Sequence, residues 1–307
     1  MIQTILLLGA TGLLGGRIAH HLLDQPEVEL HLLVRDGHEG QKRAALDPWM
    51  KRGAKIVEGD LRDLASLDRA TQGIDVIISA VQGGTDIIID GQVALAEAGK
   101  RHAVRRILPS DFALDLFKAT PGEHVAFNAR ASADEKIAAL GLEHIHMLQG
   151  AFMDLFGPGS PLVDYEKGMV TFWGDGSRPI EVTSVDDTAR MTVRVALDRS
   201  VKSGKFAFAG DRLSFQQAAD IAEAQTGKRF ERRSLGSEAD LRAAMAAAAK
   251  PDPFQAVMLG YQLYMLNGQT ALENLESGRY PDLELQRFSE FLADGLAAPG
   301  ARREARP

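Results

Sequence analysis

The chain has no cysteine among its 307 residues. Disulfide staples, thiolate nucleophiles and cysteine-ligated zinc are thereby excluded. Long apolar runs are missing too. No stretch approaches the roughly 18 residues of a membrane span, and the short N-terminal one lacks a basic leading segment and a cleavage site. A cytoplasmic protein with no membrane partner is the expectation. Nor is there an excess of positive charge: 35 Lys and Arg stand against 42 Asp and Glu, a net charge of −7. Binding a phosphate backbone takes clustered cations, so no nucleic-acid partner is expected. The one basic cluster, Lys100, Arg101, Arg105 and Arg106, flanks a candidate strand and reads as a solvated helix end. Neither G-x-S-x-G nor a Walker A sequence occurs, which leaves hydrolase and P-loop chemistry without support. No heptad repeat fixes an oligomer, and a homodimer stays open.

The composition that is present, 45% hydrophobic and 25% charged, is enough for a sizeable core. At about 150 residues per domain the length suggests two domains. The run TILLLGATGLLGGRIAHHLLD, residues 4–24, is the most informative stretch. An apolar strand runs into Gly9, Gly12 and Gly15, and an amphipathic helix follows. Gly9 permits the tight turn, Gly12 lets backbone approach a diphosphate, and Gly15 lets the helix pack closely. Phosphates would then meet free N–H groups at the positive end of the helix dipole. Gly9, Thr11, Gly12, Leu13, Leu14 and Gly15 are therefore the expected dinucleotide-binding turn.

Strand and helix patterns alternate through the first half. Strands are expected at 29–35, 54–60, 74–81 and 104–110, with helices at 64–73 and 85–99, the latter ending at Gly99. Thr120, Pro121 and Glu123 read as a capping box opening a helix that stops at Gly141, and a strand follows at 142–148. Residues 171–184 read as a hairpin-like element, 206–210 as a strand, and 215–226 and 238–249 as helices. Alternation of this kind implies a doubly wound parallel sheet, an α/β Rossmann fold. The expected division is a cofactor domain over 1–150 and a smaller α/β substrate-facing part over 151–307, with some later segments returning to the sheet.

Chemistry should gather at the carboxyl ends of the strands. Arg35 ends the second strand, where an acidic residue would select NAD. A guanidinium there instead offers a fork of donors to a 2′-phosphate, and Lys42 adds charge. NADPH is the expected cofactor. Asp60 and Leu61 are placed to border adenine, and Ser79, Ala80 and Val81 to run beneath the diphosphate and the nicotinamide ribose. His144 and His146 share one face of a strand but show no third ligand nearby, so no metal is expected.

GATGLLGG, LLVR, GDLRDLASL, DVIISAV, RRILPSDFALD, FWGDG and SVDDTAR, with NGQTALENLESGRYPDLELQRFSEFLAD near the C-terminus, occur in the order and spacing of one family. The chain resembles the NmrA-like, isoflavone-reductase-like branch of the atypical short-chain dehydrogenases. Its plant members include phenylcoumaran benzylic ether and pinoresinol–lariciresinol reductases. The resemblance implies a Rossmann domain plus a small substrate domain with the site in the cleft between them, and NADPH-dependent reduction of a small aromatic, phenylpropanoid-type ether or related phenolic. A quinone or aldehyde reductase, or a non-catalytic NAD(P)-sensing regulator, are the alternatives. Phe152 completes the expected cofactor-binding set, and Phe152, Phe156, Phe172 and Trp173 form either an aromatic pocket or a core.

One departure stands out. Where the reductases carry the lysine of an F-x-x-K element, Phe127 is followed by Arg130. Arginine stays protonated and cannot act as a general base. Arg130 is expected either to donate to the nicotinamide ribose or a substrate oxyanion, or to pair with Asp134 one turn on. Asp111, where the plant enzymes have glutamate, is expected either to orient substrate or to cap the next segment.

Overall fold

The computed structural model describes residues 2–35 and 44–297. Lys42 and the basic terminal ARREARP lie outside the described residues. In chain order the strands are β1 (Gln3–Leu8), β2 (Val28–Val34), β3 (Lys55–Glu58), β4 (Val76–Ser79), β5 (Arg106–Leu108), β6 (Glu143–Leu148), β7 (Ala151–Phe152), β8 (Val163–Asp164), β9 (Met169–Phe172), β10 (Ile180–Thr183), β11 (Gly204–Ala207), β12 (Asp211–Leu213) and β13 (Glu231–Ser234). The α-helices are α1 (Leu13–Leu23), α2 (Asp47–Lys51), α3 (Leu64–Ala70), α4 (Gln92–Arg101), α5 (Val125–Ala139), α6 (Val185–Leu197), α7 (Phe215–Thr226), α8 (Glu238–Ala248), α9 (Pro253–Asn267) and α10 (Phe288–Ala297).

The chain divides into two compact units. The first comprises Met1–Phe112, Ala129–Met147 and Thr188–Phe206, the second Ala113–Asn128, Leu148–Asp187 and Ala207–Pro307. A single boundary at 150 is thus not what the chain does. Residues 113–128 leave the first unit early, and 188–206 return to it as most of α6 and β11.

The first unit holds a seven-stranded sheet in the order β11-β6-β5-β4-β1-β2-β3. The pairs β2/β3, β1/β2, β1/β4, β4/β5 and β5/β6 are all parallel. The direction of winding reverses between β1 and β4, the switch point at which doubly wound sheets bind ligands. All four residues of β4 are buried, because the sheet is covered on both faces. Helix α1 buries Gly15, Ile18, Ala19 and Leu22, one face at helical spacing. One core cluster joins Leu6, Leu8, Ile77 and Ile107 of the sheet to Leu67, Leu95 and Ile137 of the helices.

Several expectations fail for identifiable reasons. The helix placed at 85–99 begins as a wide turn over Asp86–Gly91 and continues through α4 to Arg101. Gly99 is not its stop but a packing point, since a Cβ there would lie 3.0 Å from Ile77 Cδ1. Thr120 does not cap α5, which starts at Val125, because Gly122 at φ 86° breaks the chain direction just after Pro121. The 171–184 hairpin does not form. Strand β9 pairs with β8 and β13, and β10 with β12 and β7, in two separate three-stranded sheets.

The largest correction concerns the basic cluster. Arg106 is 0% exposed. Its guanidinium donates to the carbonyls of Val195, Asp198 (2.8 Å) and Val201 (2.9 Å) and to Glu143 Oε1 (2.7 Å). These carbonyls are the orphan acceptors at and just beyond the C-terminus of α6, so the arginine caps that helix from within the core. Burial opposes ionisation of Glu143, but hydrogen bonds and charge from Arg106 and Arg105 outweigh it and hold the carboxyl below its usual range. Lys100 and Arg101 do stay at the surface, where Arg101 meets Asp68 at 3.0 Å.

In the second unit, α7 opens on a Ser214–Gln217 capping box and ends at Gly227. Phe156 packs edge-on against Phe215 and Phe288, and Phe172 lies beside Phe215. Phe156 and Phe172 are therefore core rather than pocket, whereas Trp173 is half-buried and donates its Nε1–H to Gln262. Helices α8 and α9 pack through Leu241, Leu259 and Leu263.

Candidate functional site

The glycine turn closes as its residues require. Gly9 sits at φ 83°, and a Cβ on it would lie 2.2 Å from the Ala80 carbonyl oxygen. No side chain fits there, so β1 and β4 meet backbone to backbone at the switch point. A Cβ on Gly15 would lie 2.0 Å from the Gly9 carbonyl oxygen, which explains how α1 starts directly against the turn. Gly12 differs: its Cβ would meet only the Gly9 oxygen, at 3.3 Å. That position is open outward, at the N-cap of α1, and among the described residues no side chain caps the helix. The first-turn N–H groups lack intrahelical acceptors, and Thr11, Gly12 and Leu13 are exposed. The result is a cradle of donors at a positive helix end, suited to a diphosphate.

The other expected residues are distributed unevenly. Arg35 is exposed just past β2. Asp60 accepts a hydrogen bond from Arg62 N at 2.8 Å, and Leu61 is buried in the core cluster against Gly91. Ser79 is fully buried, and its hydroxyl has no hydrogen-bond partner among the described residues. Ala80 and Val81 are half-buried. Phe152 lies on β7, in the second unit.

A second group converges at the ends of β4 and β5. Ser110 Oγ donates to the Val81 carbonyl at 2.6 Å, and Ser110 N donates to Gln92 Oε1 at 2.8 Å. Arg130 on α5 donates its Nε–H to the Ser110 carbonyl at 2.9 Å. Val81, Ser110 and Arg130 are thus one hydrogen-bonded chain, with the guanidinium brought to the carboxyl edge of the sheet.

Asp111, the next residue, caps no helix among the described residues. Its Oδ2 lies 2.8 Å from His146 Nδ1, and Asp134 Oδ1 lies 3.6 Å from the same nitrogen. Asp111 and Asp134 are 2% exposed and His146 is 5% exposed. Burial, and then the charge of Asp111, push the Asp134 carboxyl up to about 10, against the pull of Arg130. His144 lies apart from the carboxylates, its Nδ1 2.9 Å from the Leu142 carbonyl. The expectation of no third group near His146 does not hold, since two carboxylates stand beside it. A signal existed: Asp111 follows β5 and His146 lies on β6, and adjacent parallel strands bring such positions together.

The sequence model of the NmrA-like family matches residues 1–292. Pinoresinol reductase 1 of Arabidopsis thaliana is 28% identical over 94% of this chain and 95% of its own length. Phenylcoumaran benzylic ether reductase IRL1 of Ginkgo biloba is 26% identical over 94% of this chain and 97% of its own. Among solved structures, one described as AtPrR2 with NADP+ and (+)pinoresinol superposes with a TM-score of 0.84 at 26% identity, covering 96% of this chain and 99% of that one. An isoflavone reductase structure, at 23% identity and a TM-score of 0.82, shares the fold. A doubly wound sheet with a glycine cradle at its switch point, matched by one family along nearly its whole length, places this chain in the NmrA-like family.

Proposed function

We propose that the chain is an NADPH-dependent reductase of a small aromatic substrate, a phenylpropanoid- or lignan-type ether or a related phenolic. The observation that carries this reading is the outward-open Gly12 at an uncapped helix start, bounded by a turn in which Gly9 and Gly15 admit no Cβ. Such a cradle suits a dinucleotide diphosphate. The buried Ser79 hydroxyl without a partner offers a further polar contact beneath it. Arg35, exposed past β2, is suited to a 2′-phosphate. Whole-chain similarity to a structure described with NADP+ and (+)pinoresinol supports both the cofactor and the substrate class.

Bound reduced nicotinamide supplies hydride. The chain's own contribution is position and charge. Arg130, tied to Ser110, holds a fixed positive charge and further N–H donors for an oxygen that becomes anionic as a benzylic ether opens. Arginine cannot remove a proton, so its role is electrostatic.

The test is incubation of the full chain with NADPH and a panel of pinoresinol-type lignans, phenylcoumarans, isoflavones, quinones and aromatic aldehydes. Oxidation of NADPH with a lignan or phenylcoumaran supports the reading, and oxidation with a quinone or aldehyde alone moves the substrate class. Tight binding with no oxidation across the panel favours a non-catalytic sensor of NADPH, a reading to which the arginine at position 130 lends support.

A further inference from the structure

The reductase reading leaves one buried cluster unused. Asp111, Asp134 and His146 bring two carboxyls and an imidazole together so that one ligand-type atom from each lies within 4.8 Å of the others. Among the described residues, Asp111 Oδ1 and both oxygens of Asp134 accept no hydrogen bond. Two buried carboxylates facing each other without a donor are untenable as a pair of anions. Something positive must stand between them. With three protein ligands, a 2.8 Å contact of hydrogen-bond length between His146 Nδ1 and Asp111 Oδ2, and almost no exposure, the cluster suits a proton better than a metal ion.

We propose that Asp111, Asp134 and His146 form a buried proton-holding site, in which the two carboxyls share one proton, and that this site supplies the proton consumed when a substrate's ether oxygen is released. The second half of that statement rests on the reductase reading; the first does not.

The shared proton completes the hydrogen bonding. An Asp134 hydroxyl donates to Asp111 Oδ1, and His146 donates Nδ1–H to Asp111 Oδ2. The pair then carries a single negative charge, faced by the imidazole of His146 and by the positive charge of Arg130, four residues before Asp134 on α5. His144, with its ring 5.2 Å from that of His146, is the other titratable side chain on that face of β6. Asp111 directly follows Ser110, whose carbonyl holds Arg130, so the proton store and the fixed cation share one short stretch of backbone.

The step balances as follows. The benzylic C–O bond breaks and its electron pair stays on oxygen. That oxygen takes the proton and becomes a hydroxyl. Hydride from the reduced nicotinamide fills the benzylic carbon. A proton from water enters the carboxyl pair as the shared one leaves, so the pair keeps its single negative charge throughout. Proton exchange passes through His146, the least buried of the three, in the tautomer whose Nδ1 carries no hydrogen and accepts from the Asp111 carboxyl. Asp111 and Asp134 act through it, as positioning residues.

The experiment is infrared spectroscopy of the full chain from pH 6 to 9, without cofactor, followed by turnover with NADPH and pinoresinol. The expected spectrum keeps the carbonyl stretch of an un-ionised carboxylic acid at pH 8, shifted on exchange into deuterium oxide and lost in Asp134→Asn. Absence of that band in the wild type at pH 8, its persistence in both Asp134→Asn and Asp111→Asn, or a stoichiometric divalent metal in the purified protein would overturn the shared proton. In turnover, Asp134→Asn is expected to lower kcat at least tenfold with KM unchanged and to alter the alkaline limb of the pH profile, with Asp134→Glu recovering activity. Wild-type kcat and pH profile in Asp134→Asn would overturn the supply role. A wild type that oxidises NADPH with no substrate overturns the reductase reading and the supply role together, while the infrared result still decides whether the proton is shared.

Discussion

Replacing Arg106 with methionine should cost the protein about 3–5 kcal/mol. Methionine keeps length and apolar bulk but has no donor. The carbonyls of Val195, Asp198 and Val201 lose the guanidinium that satisfies them in a site with no exposure. An unmet buried acceptor costs about 1–3 kcal/mol. Three would reach about 9 kcal/mol if none relaxed, but the end of α6 can tilt toward water and recover part of that. Glu143 adds little, because it is a quarter exposed and keeps Arg105 at 3.2 Å. The resulting figure agrees with the usual cost of breaking a buried charged network. The assay is urea unfolding followed by fluorescence. The chain has two tryptophans, Trp49 in the first unit and Trp173 in the second, so a Trp173→Phe background lets Trp49 report on the unit that holds Arg106. Arg106→Lys should recover less than half of the loss, since one ammonium cannot span four acceptors in the geometry of the planar fork. A loss below about 1 kcal/mol for Arg106→Met, at unchanged m-value, would refute the capping role.

Three further outcomes follow from the site. The Asp134 carboxyl is raised, chiefly by burial, to about 10, so the folded state holds a proton that the unfolded state releases near pH 4. Stability present below pH 4 is therefore lost progressively as pH rises toward 10, by at most about 1.4 kcal/mol per unit. Asp134→Asn removes that dependence, and its Tm relative to wild type should climb between pH 5 and 9; parallel Tm curves would contradict it. Arg35→Ala should weaken NADPH binding about tenfold and leave NADH unchanged, since only a 2′-phosphate engages the guanidinium; equal weakening of both would remove Arg35 from cofactor selection. Arg130→Ala should lower turnover about 10²-fold while Arg130→Lys retains or raises it, and an alanine variant at the wild-type rate would make the residue structural.

Much of the first unit was legible because its signals are local. The run Ile5 to Leu8 before Gly9, Gly12 and Gly15 specifies the strand, turn and helix within about twenty residues, and the apolar run 74–81 contains β4. Helix α7 was likewise bounded by Ser214 and Gly227, two cap residues with direct backbone roles. Failures came where distant residues decide. Arg106 looks like a surface cation until α6, some ninety residues later, presents its last carbonyls. His146 looks isolated because Asp111 lies 35 positions away and Asp134 on a helix whose apolar periodicity is weak. Thr120 and Pro121 carry a good local helix start, but Gly122 at φ 86° overrides it. The two small sheets could not be separated by pattern, since β7 to β10 are only two to four residues long. The second unit was read least well for the same reason, and α9 carries too much apolar residue around its circumference to show one clear face.

Calorimetric titration of NADPH into the full chain and into Gly12→Ala tests the central claim most directly. Alanine at this N-cap adds a Cβ whose nearest neighbour is the Gly9 oxygen at 3.3 Å, so the fold should hold with a small fall in Tm, alanine being a poorer N-cap than glycine. The same methyl group stands where the diphosphate would approach. The account predicts one NADPH per wild-type chain and at least a tenfold weaker affinity in the variant. Equal NADPH affinity in the two proteins, or no NADPH uptake by the folded wild type, would contradict it.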